Sequence, residues 1–430
     1  MPRTPEQTAL PKVTRRLLPF LFVLYVVCFL DRVNLGFAAL QMNHDLGFTP
    51  AVYGFGAGIF FLGYVLFEVP SNLVLARIGA RRWIARIMIT WGLIASAMMF
   101  IRGPLSLYGL RFLLGAAEAG FFPGMIYYLS RWYPAEERAR AIARFMVAIP
   151  VSGIVGGPIS GALLGLDGRL GLAGWQWLFL LEGLPAVLLG FVVLARLPDG
   201  PEQAAWLTPA EREWLSAKLT AERNACERRH GFGVVQALTN GTVWQLGVLF
   251  LLSNAFGVYV LGLWLPQIVR SLGGMSDFAV GVVTAVPNLV GAVAMVLVGA
   301  HSDRTGERLL HIAAVAIVAA AGFVGGALLH SPLLVVVALS LAAAGALSSH
   351  GPFWTLPSRF LTGSAAAGGL ALIVSIANLA GFAGPYIMGL LRGASGSFRS
   401  GLLSVGLATL AGAVLAIRLR SAPVLAAPQE

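Results

Sequence analysis

The sequence LLPFLFVLYVVCFLDRVNLGFAAL, from Leu17 to Leu40, decides the fold because it places an acid and a base inside a long apolar run. A helix of this length, rising about 1.5 Å per residue, crosses the hydrocarbon core of a bilayer. A charged group at the centre of such a helix costs roughly 2.5–3.5 kcal/mol, so it persists where it faces a bundle interior or a wet cavity. Neighbouring helical residues point about 100° apart. We therefore expect Asp31 and Arg32 to find partners on other helices and to belong to a functional site.

The composition of the whole chain also indicates a membrane protein. Of 430 residues, 57% are hydrophobic and 11% are charged, whereas about 25% of a typical soluble domain is charged. The formal charge of +11 is spread over short connections between apolar runs, as the positive-inside rule describes. This distribution excludes a nucleic-acid-binding protein and favours a polytopic protein embedded in a lipid bilayer.

Apolar stretches between polar breaks predict an all-α polytopic membrane protein with twelve transmembrane helices in two six-helix halves. The predicted helices are 17–40, 51–76, 83–102, 104–130, 141–166, 176–196, 242–270, 277–300, 308–330, 332–357, 364–391 and 399–419. The N-terminal half is 1–196, the central loop is 197–241 and the C-terminal half is 242–430. Thr208 and Pro209 have the order of an N-cap and a first helical residue, so a short helix should begin in the central loop.

The loops predict the orientation, because arginines are concentrated in every second loop. Those loops, the central loop and both termini should lie in the cytoplasm. We therefore expect a multi-pass protein of the inner (plasma) membrane, acting as a monomer. Cys28, Cys226 and six scattered histidines show no metal-ligand spacing, so neither a metal nor a cofactor is predicted.

Two loops repeat a short pattern in the two halves. GAHSDRTGER (Gly299–Arg308) contains a glycine, an Asp-Arg pair and a further basic residue. PSNLVLARIGARRW (Pro70–Trp83) keeps Arg81 and Arg82 but has Ala76 where the acid usually stands. This duplication, together with the six-plus-six layout, resembles the major facilitator superfamily.

Four longer blocks resemble one branch of that superfamily, the anion:cation symporters. They are YVVCFLDRVNLGFAAL (Tyr25–Leu40), GYVLFEVPSNLVLARIGARRW (Gly63–Trp83), RFLLGAAEAGFFPGMIYYLSRWYPAEERARAIARFM (Arg111–Met146) and GPFWTLPSRFLTGSAAAGGLALIVSIANLAGFAGPYIMG (Gly351–Gly389). The resemblance implies uptake of a small organic anion such as tartrate, phthalate or a sugar acid, usually with protons.

Arg111 and Glu118 lie seven residues apart in the fourth predicted helix, on one face and two turns from each other. The resemblance implies that Arg32 binds the substrate carboxylate, that Asp31 and Glu118 are the protonatable pair, and that Arg111 tunes them. We favour Glu118 over Asp31 for proton coupling because Asp31 can instead be locked to Arg111. The alternative is a static network that joins the first and fourth helices.

Four further residues are candidates for substrate binding. The resemblance implies that Tyr64 and Trp354 face the substrate, with core packing as the alternative for Tyr64. Asn254 is a polar group at lipid depth that needs a partner. Asn378 keeps one of two amides that the branch often has, and Val374 replaces the other. This loss favours a less hydroxylated or an aromatic carboxylate.

Six residues of the repeated loops are candidates for a latch that holds one conformation closed. They are Arg77, Arg81, Arg82, Asp303, Arg304 and Arg308. We expect the last three to bridge cytoplasmic helix ends, and the first three to do the same against Glu136 or Glu137.

The preferred function is proton-coupled secondary active uptake of a carboxylate by alternating access. An exporter of metabolites or drugs with the same fold is the first alternative, and Ala76 disfavours it because exporters more often have an acid in that loop. An integral membrane enzyme is a distant alternative, since no nucleophile, metal or phosphate-binding constellation is found. We therefore predict that the protein is not an enzyme.

Overall fold

The computed structural model describes residues 4–228, 238–357 and 363–420. The elements assigned within these ranges are helices, and twelve of them are long and apolar enough to cross a membrane. The predicted all-α fold with twelve membrane helices is therefore confirmed. We number these spans from first to twelfth in chain order.

The N-terminal half contains six spans, of which the fourth and the fifth are each built from two helices. Its helices are Pro5–Asp45, Pro50–Ile78, Ala80–Ala97, Pro104–Glu118 with Phe121–Ser130, Ala135–Met146 with Ala148–Leu164, and Gly174–Arg196. Short 3₁₀ turns follow the third span at Met98–Phe100 and precede the sixth span at Arg169–Gly171.

The C-terminal half again contains six spans, and its seventh and tenth spans are interrupted. Its helices are Gly241–Phe250 and Phe256–Ser271 joined by a π turn at Leu251–Ala255, Asp277–Thr305, Leu309–Leu328, Pro332–Ser348 with His350–Trp354, Gly363–Ser395, and Arg399–Leu419.

The central segment between the halves contains a 3₁₀ turn at Pro201–Gln203 and the helix Pro209–Arg228. The predicted start of this helix is confirmed. The backbone amide of Thr208 donates to the Glu211 carboxylate at 2.9 Å, and the amide of Glu211 donates to the Thr208 hydroxyl at 3.3 Å. This reciprocal pair is a capping box, which satisfies amides that a helix start leaves without partners.

The first span is longer than its apolar run. It begins at Pro5, twelve residues before the predicted start at Leu17. Lys12, in this added part, donates to Glu211 of the central helix at 2.7 Å. The polar part stays helical because it packs on other protein segments, and hydropathy carries no signal for such contacts.

The fourth span breaks directly after Glu118, so the prediction of one continuous helix over 104–130 is wrong at this point. Gly120 has φ = 86°, a left-handed conformation that favours glycine. The hydroxyl of Ser71 in the second span donates to the carbonyl oxygen of Ala119 at 2.6 Å, which stabilises the break. Glu118 therefore lies at a helix end, where the backbone no longer satisfies all of its own hydrogen bonds.

The ends of the spans alternate between two faces of the molecule. The basic face carries the start of the first span, the central segment and the loops near Arg81 and Arg308, whereas the opposite face carries the turns near Gly47 and Gly273. The two halves contact each other through the first and seventh, the second and eleventh, and the fifth and eighth spans.

Glycines make the contacts between the halves close near the opposite face. A Cβ atom on Gly54 would lie 2.5 Å from the carbonyl oxygen of Pro385. Cβ atoms on Gly157 and Gly281 would each collide with the carbonyl oxygen of the other residue. Small residues allow this approach of helix backbones in a membrane protein. The halves are thus packed backbone to backbone on this side.

Candidate functional site

A cavity of about 930 Å³, part of which is open to solvent, lies between the two halves. The first, second, fifth, seventh, eighth and tenth spans line it, mostly with apolar side chains. Its polar lining residues are Arg32, Ser152, Tyr259, Thr284 and Asn288. Among the described lining residues, Arg32 alone carries a formal charge. No group of three or more His, Cys, Asp or Glu within the described ranges is placed to hold a metal ion.

Arg32 is paired with a carboxylate from the fourth span. Its Nε and one terminal nitrogen each lie 2.5 Å from Oε1 of Glu118, and Sγ of Cys28 donates to the same oxygen at 3.1 Å. The Arg32 side chain is 12% exposed and that of Glu118 only 1%. The guanidinium therefore reaches the cavity while the carboxylate lies behind it. The expected link between the first and fourth spans is present.

Three aromatic rings surround the guanidinium of Arg32. Its central carbon lies 5.0 Å from the ring centre of Tyr64, 5.3 Å from that of Phe29 and 5.8 Å from that of Phe60. Cation–π contacts at this range stabilise a cation that has lost much of its water. Tyr64 is buried, so in this conformation it supports Arg32, and its direct contact with a substrate stays a prediction.

Asp31 forms a separate cluster with neutral donors. Nε1 of Trp91 donates to its Oδ2 at 2.5 Å, and Nδ2 of Asn34 donates to its Oδ1 at 3.2 Å. The expectation that Asp31 is locked to Arg111 is therefore wrong. Because adjacent residues of a helix point in different directions, Asp31 and Arg32 face different neighbours, as predicted.

Arg111 anchors the fourth span to the second. Its Nε donates to the carbonyl oxygen of Gly56 at 3.3 Å and a terminal nitrogen donates to that of Ala57 at 3.2 Å. Its guanidinium also lies 4.7 Å from the ring centre of Phe60. These contacts hold the buried Arg111, and no acid within the described ranges forms an ion pair with it. Its influence on Asp31 and Glu118 acts only at longer range.

Asn378 is connected to the cavity through Tyr259, a residue that was not predicted. The Tyr259 hydroxyl donates to Oδ1 of Asn378 at 3.0 Å, and its ring lies 4.4 Å from that of Phe61 in the other half. Tyr259 and Phe61 both line the cavity. A tyrosine inside an apolar run was the only sequence signal for this residue.

Asn254 lies in the π turn of the seventh span and joins it to the tenth. Its Nδ2 donates to the carbonyl oxygen of Ala346 at 2.6 Å and lies 3.0 Å from Oγ of Ser349 and 2.7 Å from Nδ1 of His350. The predicted need for partners is confirmed. Such π turns are frequent at functional sites, but the amide is engaged within the protein here.

Trp354 belongs to an aromatic cluster toward the basic face. Its ring centre lies 5.1 Å from that of Phe250 and 5.3 Å from that of Phe353. Its indole nitrogen has no partner in the described part of the chain, so it remains available as a donor. Neither Trp354 nor Asn254 is among the described residues that line the cavity, and their contact with substrate stays a prediction.

The latch candidates of the C-terminal half form local pairs. Arg308 donates to Asp303 at 2.7 Å, and Arg420 lies 3.3 Å from Glu307. Arg304 is exposed. Both pairs lie within the C-terminal half, and a latch role for Asp303, Arg304 and Arg308 stays a prediction.

The latch candidates of the N-terminal half do not pair as expected. Glu136 lies 3.4 Å from Lys218 and Glu137 lies 3.2 Å from Arg140. In this conformation closer cations occupy both acids, so the predicted pairing with the loop arginines is not formed here and stays a prediction. The arginines concerned are Arg77, Arg81 and Arg82. The backbone amide of Arg81 donates to the side chain of Asp199 at 2.8 Å.

Polar contacts also connect the halves on the opposite face. Gln41 donates to Asp277 at 2.7 Å, and Asp277 forms an ion pair with Arg270. Asn43 donates to Gln267 at 3.4 Å. In both cases the first span contacts the C-terminal half, next to the glycine contacts.

Two buried carboxyl groups were not predicted from the sequence. Glu68 in the second span is 4% exposed, and its Oε2 has no partner in the described residues. Glu182 in the sixth span is 5% exposed and accepts a hydrogen bond of 2.7 Å from Ser160. An acid inside an apolar run was the available signal for both.

Comparisons with known sequences give a consistent result. The family model described as "Major Facilitator Superfamily" matches residues 21–385. A protein of Agrobacterium vitis named "Putative tartrate transporter" is 50% identical over 97% of this chain and 93% of its own length. A "Quinolone resistance transporter" of Acinetobacter baumannii is 42% identical over 95% of this chain and 94% of its own length.

Comparison with solved structures concerns the fold. A bacterial homologue of the human lysosomal transporter Spinster, in an inward-facing and occupied conformation, matches with a TM-score of 0.77. The match covers 96% of this chain and 98% of that protein at 17% identity. At this identity the likeness is one of fold alone, and it agrees with the twelve-helix arrangement described above.

Proposed function

The chain belongs to the Major Facilitator Superfamily and is a membrane transporter, not an enzyme; from that premise we propose that it takes up a small carboxylate anion together with protons. In this proposal the basic face lies in the cytoplasm of the inner (plasma) membrane, because arginines cluster there. The halves 1–196 and 242–430 move against each other by alternating access, with 197–241 as their cytoplasmic connection. The protein acts as a monomer without metal or cofactor.

The observation that carries the proposal is the position of Arg32. Arg32 is the one residue with a formal charge among the described cavity-lining residues. Its Nε donates to Oε1 of Glu118 at 2.5 Å, on the side away from the cavity. A substrate carboxylate can accept the same fork of hydrogen bonds from a guanidinium. When Glu118 takes a proton, Arg32 loses its anionic partner and binds the substrate carboxylate instead. Proton binding and anion binding thereby become linked.

The contacts between the halves support a direction for the motion. The close approach of Gly157 and Gly281 near the opposite face fits a conformation that opens toward the cytoplasm. Opening to the outside requires these backbones to separate, and the halves then approach at the basic face. The loop residues Asp303, Arg304 and Arg308, with Arg77, Arg81 and Arg82, form the latch of that second conformation.

Six further residues complete the proposed site. Asp31 contributes a second protonatable group, and Arg111 adjusts the field of both acids from its place beside the second span. The substrate-binding residues beside Arg32 are Tyr64, Asn254, Trp354 and Asn378, the last acting through Tyr259. Aromatic side chains around a single cation suit a compact anion with few hydroxyl groups.

The experiment is tartrate uptake into proteoliposomes under an inward proton gradient. We expect accumulation that stops when a protonophore collapses the gradient, and loss of uptake in Arg32→Ala. Arg102→Ala is the matched control, because Arg102 is exposed on the opposite face and its loss should leave uptake unchanged. Uptake that survives either the protonophore or Arg32→Ala would contradict the proposal.

Export of an apolar compound is a second candidate, favoured by the apolar lining of the cavity. Phe29, Phe37 and Phe61 all face it, and the relative from Acinetobacter baumannii is named for quinolone resistance. Expression in a sensitive strain tests this function directly. Raised tolerance of a fluoroquinolone, lost in Phe61→Ala, would favour export over uptake.

A further inference from the structure

A second pair of acids lies in the N-terminal half, apart from Arg32 and Glu118. Asp31 in the first span and Glu182 in the sixth are both buried. Neither forms an ion pair within the described part of the chain. Their hydrogen-bond donors are the neutral side chains of Trp91, Asn34 and Ser160.

Asn34 interacts with both acids. Its Nδ2 donates to Oδ1 of Asp31 at 3.2 Å, and its amide also interacts with the carboxyl of Glu182. Oε2 of Glu182 and Oδ1 of Asn34 are both buried acceptors without a donor among the described residues. Oε2 of Glu182 is therefore a position where an added proton displaces no hydrogen bond from the described residues.

The groups that surround this pair do not neutralise it. They are Trp91 of the third span, Ser160 of the fifth and, at longer range, Glu118 and Arg111 of the fourth. The last two are engaged elsewhere, with Arg32 and with backbone carbonyls of the second span. Two unpaired carboxylates at membrane depth cost far more than one carboxylate beside one neutral acid.

We propose that Asp31 and Glu182 hold one proton between them through Asn34, as a proton-binding site of the transport cycle distinct from Arg32 and Glu118. This inference rests on the proposed proton-coupled function. The proton comes from water, adds to one carboxylate, leaves one negative charge on the pair, and returns to water when the halves rearrange. Asp31 is adjacent to Arg32 in the first span, so a shift of that span on anion binding changes the distance between Asp31 and Glu182.

The first test measures the proton directly and needs no substrate. Infrared difference spectra of the purified protein in lipid, titrated from alkaline to acidic buffer, separate protonated carboxyl groups from carboxylates. We expect a protonated-carboxyl band in wild type at neutral pH that changes in both Glu182→Gln and Asp31→Asn. Glu213→Gln is the control, because Glu213 is exposed on the central helix. A band unchanged in Glu182→Gln would overturn the proposal.

The second test asks whether this proton takes part in transport, with tartrate as the probe. Glu182→Gln removes the second acid, so Asp31 binds its proton less readily. We expect tartrate counterflow to persist while the pH profile of gradient-driven uptake moves to lower pH by about one unit. A profile that coincides with wild type would overturn the role in coupling. If wild type carries no tartrate, the proposed function fails. The infrared result then still shows whether Asp31 and Glu182 share a proton.

Ser160→Ala covers the case in which Glu182→Gln does not fold. It removes only the hydroxyl that donates to Glu182 at 2.7 Å. We expect the band of the shared proton to shift in frequency, because one hydrogen bond to the carboxyl is lost. An unshifted band in the folded variant would contradict the assignment to Glu182.

Discussion

Nε of Arg32 lies 2.5 Å from Oε1 of Glu118, and the two residues come from spans that are separated by two others in the chain. The guanidinium reaches the cavity and the carboxylate is sealed behind it. In the proposed function, the substrate carboxylate replaces Glu118 as the anionic partner of this cation. The first prediction follows from this relationship.

Glu118→Gln should make anion binding independent of the proton that releases Arg32. Breaking a buried ion pair costs about 3–5 kcal/mol, so the variant should be less stable than wild type without ligand. Tartrate replaces the missing anion and should raise the melting temperature of the variant more than that of wild type at neutral pH. Thermal unfolding with and without tartrate measures this difference.

Glu213→Gln is again the control, since it removes an exposed acid. Equal stabilisation of Glu118→Gln and wild type by tartrate at neutral pH would show that Glu118 does not compete for Arg32.

Gly157→Leu should open the opposite face of the transporter. A Cβ at this position collides with the carbonyl oxygen of Gly281, and a larger side chain must push the fifth and eighth spans apart. We expect faster labelling of a cavity cysteine, introduced as Ser152→Cys with Cys226→Ser, by a thiol reagent added from the opposite face.

Gly109→Leu is the matched control for this substitution, because a Cβ there meets no atom within 4 Å. With Gly109→Leu, the labelling rate should equal that of the protein that carries only Ser152→Cys and Cys226→Ser. If Gly157→Leu is folded and labels no faster than Gly109→Leu, then the glycine contact does not hold this face closed.

The pH dependence of stability should contain a contribution from Glu211. Burial alone would raise the pKa of this carboxyl, but hydrogen bonds from Lys12, Thr8 and Thr208 outweigh burial and lower the pKa from 4.5 to about 2. A depressed pKa means that the stabilising contribution is fully present above about pH 4.5 and is lost as the pH falls toward 2. Glu211→Gln keeps the capping box, because Gln also serves at this position, and it removes the negative charge on which the contribution depends.

Thermal unfolding of Glu211→Gln and wild type between neutral pH and about pH 2 measures this contribution, in the pH range set by the same pKa shift. The two melting temperatures should differ at neutral pH and converge in acid. Lys12→Met separates the ion pair from the cap and should have the smaller effect, because the Lys12 side chain is 45% exposed. A difference that stays constant across this range would exclude Glu211 as its source.

Part of the candidate site could be predicted because its signal is local. Asp31, Arg32, Arg111 and Glu118 are conspicuous as charges inside apolar runs. Arg32 and Glu118 form the ion pair at the cavity, and Asp31 is the residue next to Arg32. Glu68 and Glu182 carry the same signal and were overlooked. Tyr259 could not be singled out, because nothing in its run distinguishes a cavity-facing tyrosine from one that packs against a neighbouring helix.

The amino-acid sequence by itself determined the twelve membrane helices, their two halves and the family, because hydrophobicity over about twenty residues is a property of the chain alone. Only the tertiary structure decided which charges meet. Arg32 pairs with Glu118, Arg111 with backbone carbonyls, and Asp31 with Trp91 and Asn34. These choices depend on the rotation and depth of each helix against its neighbours, and helix packing sets both at distances that no local pattern encodes.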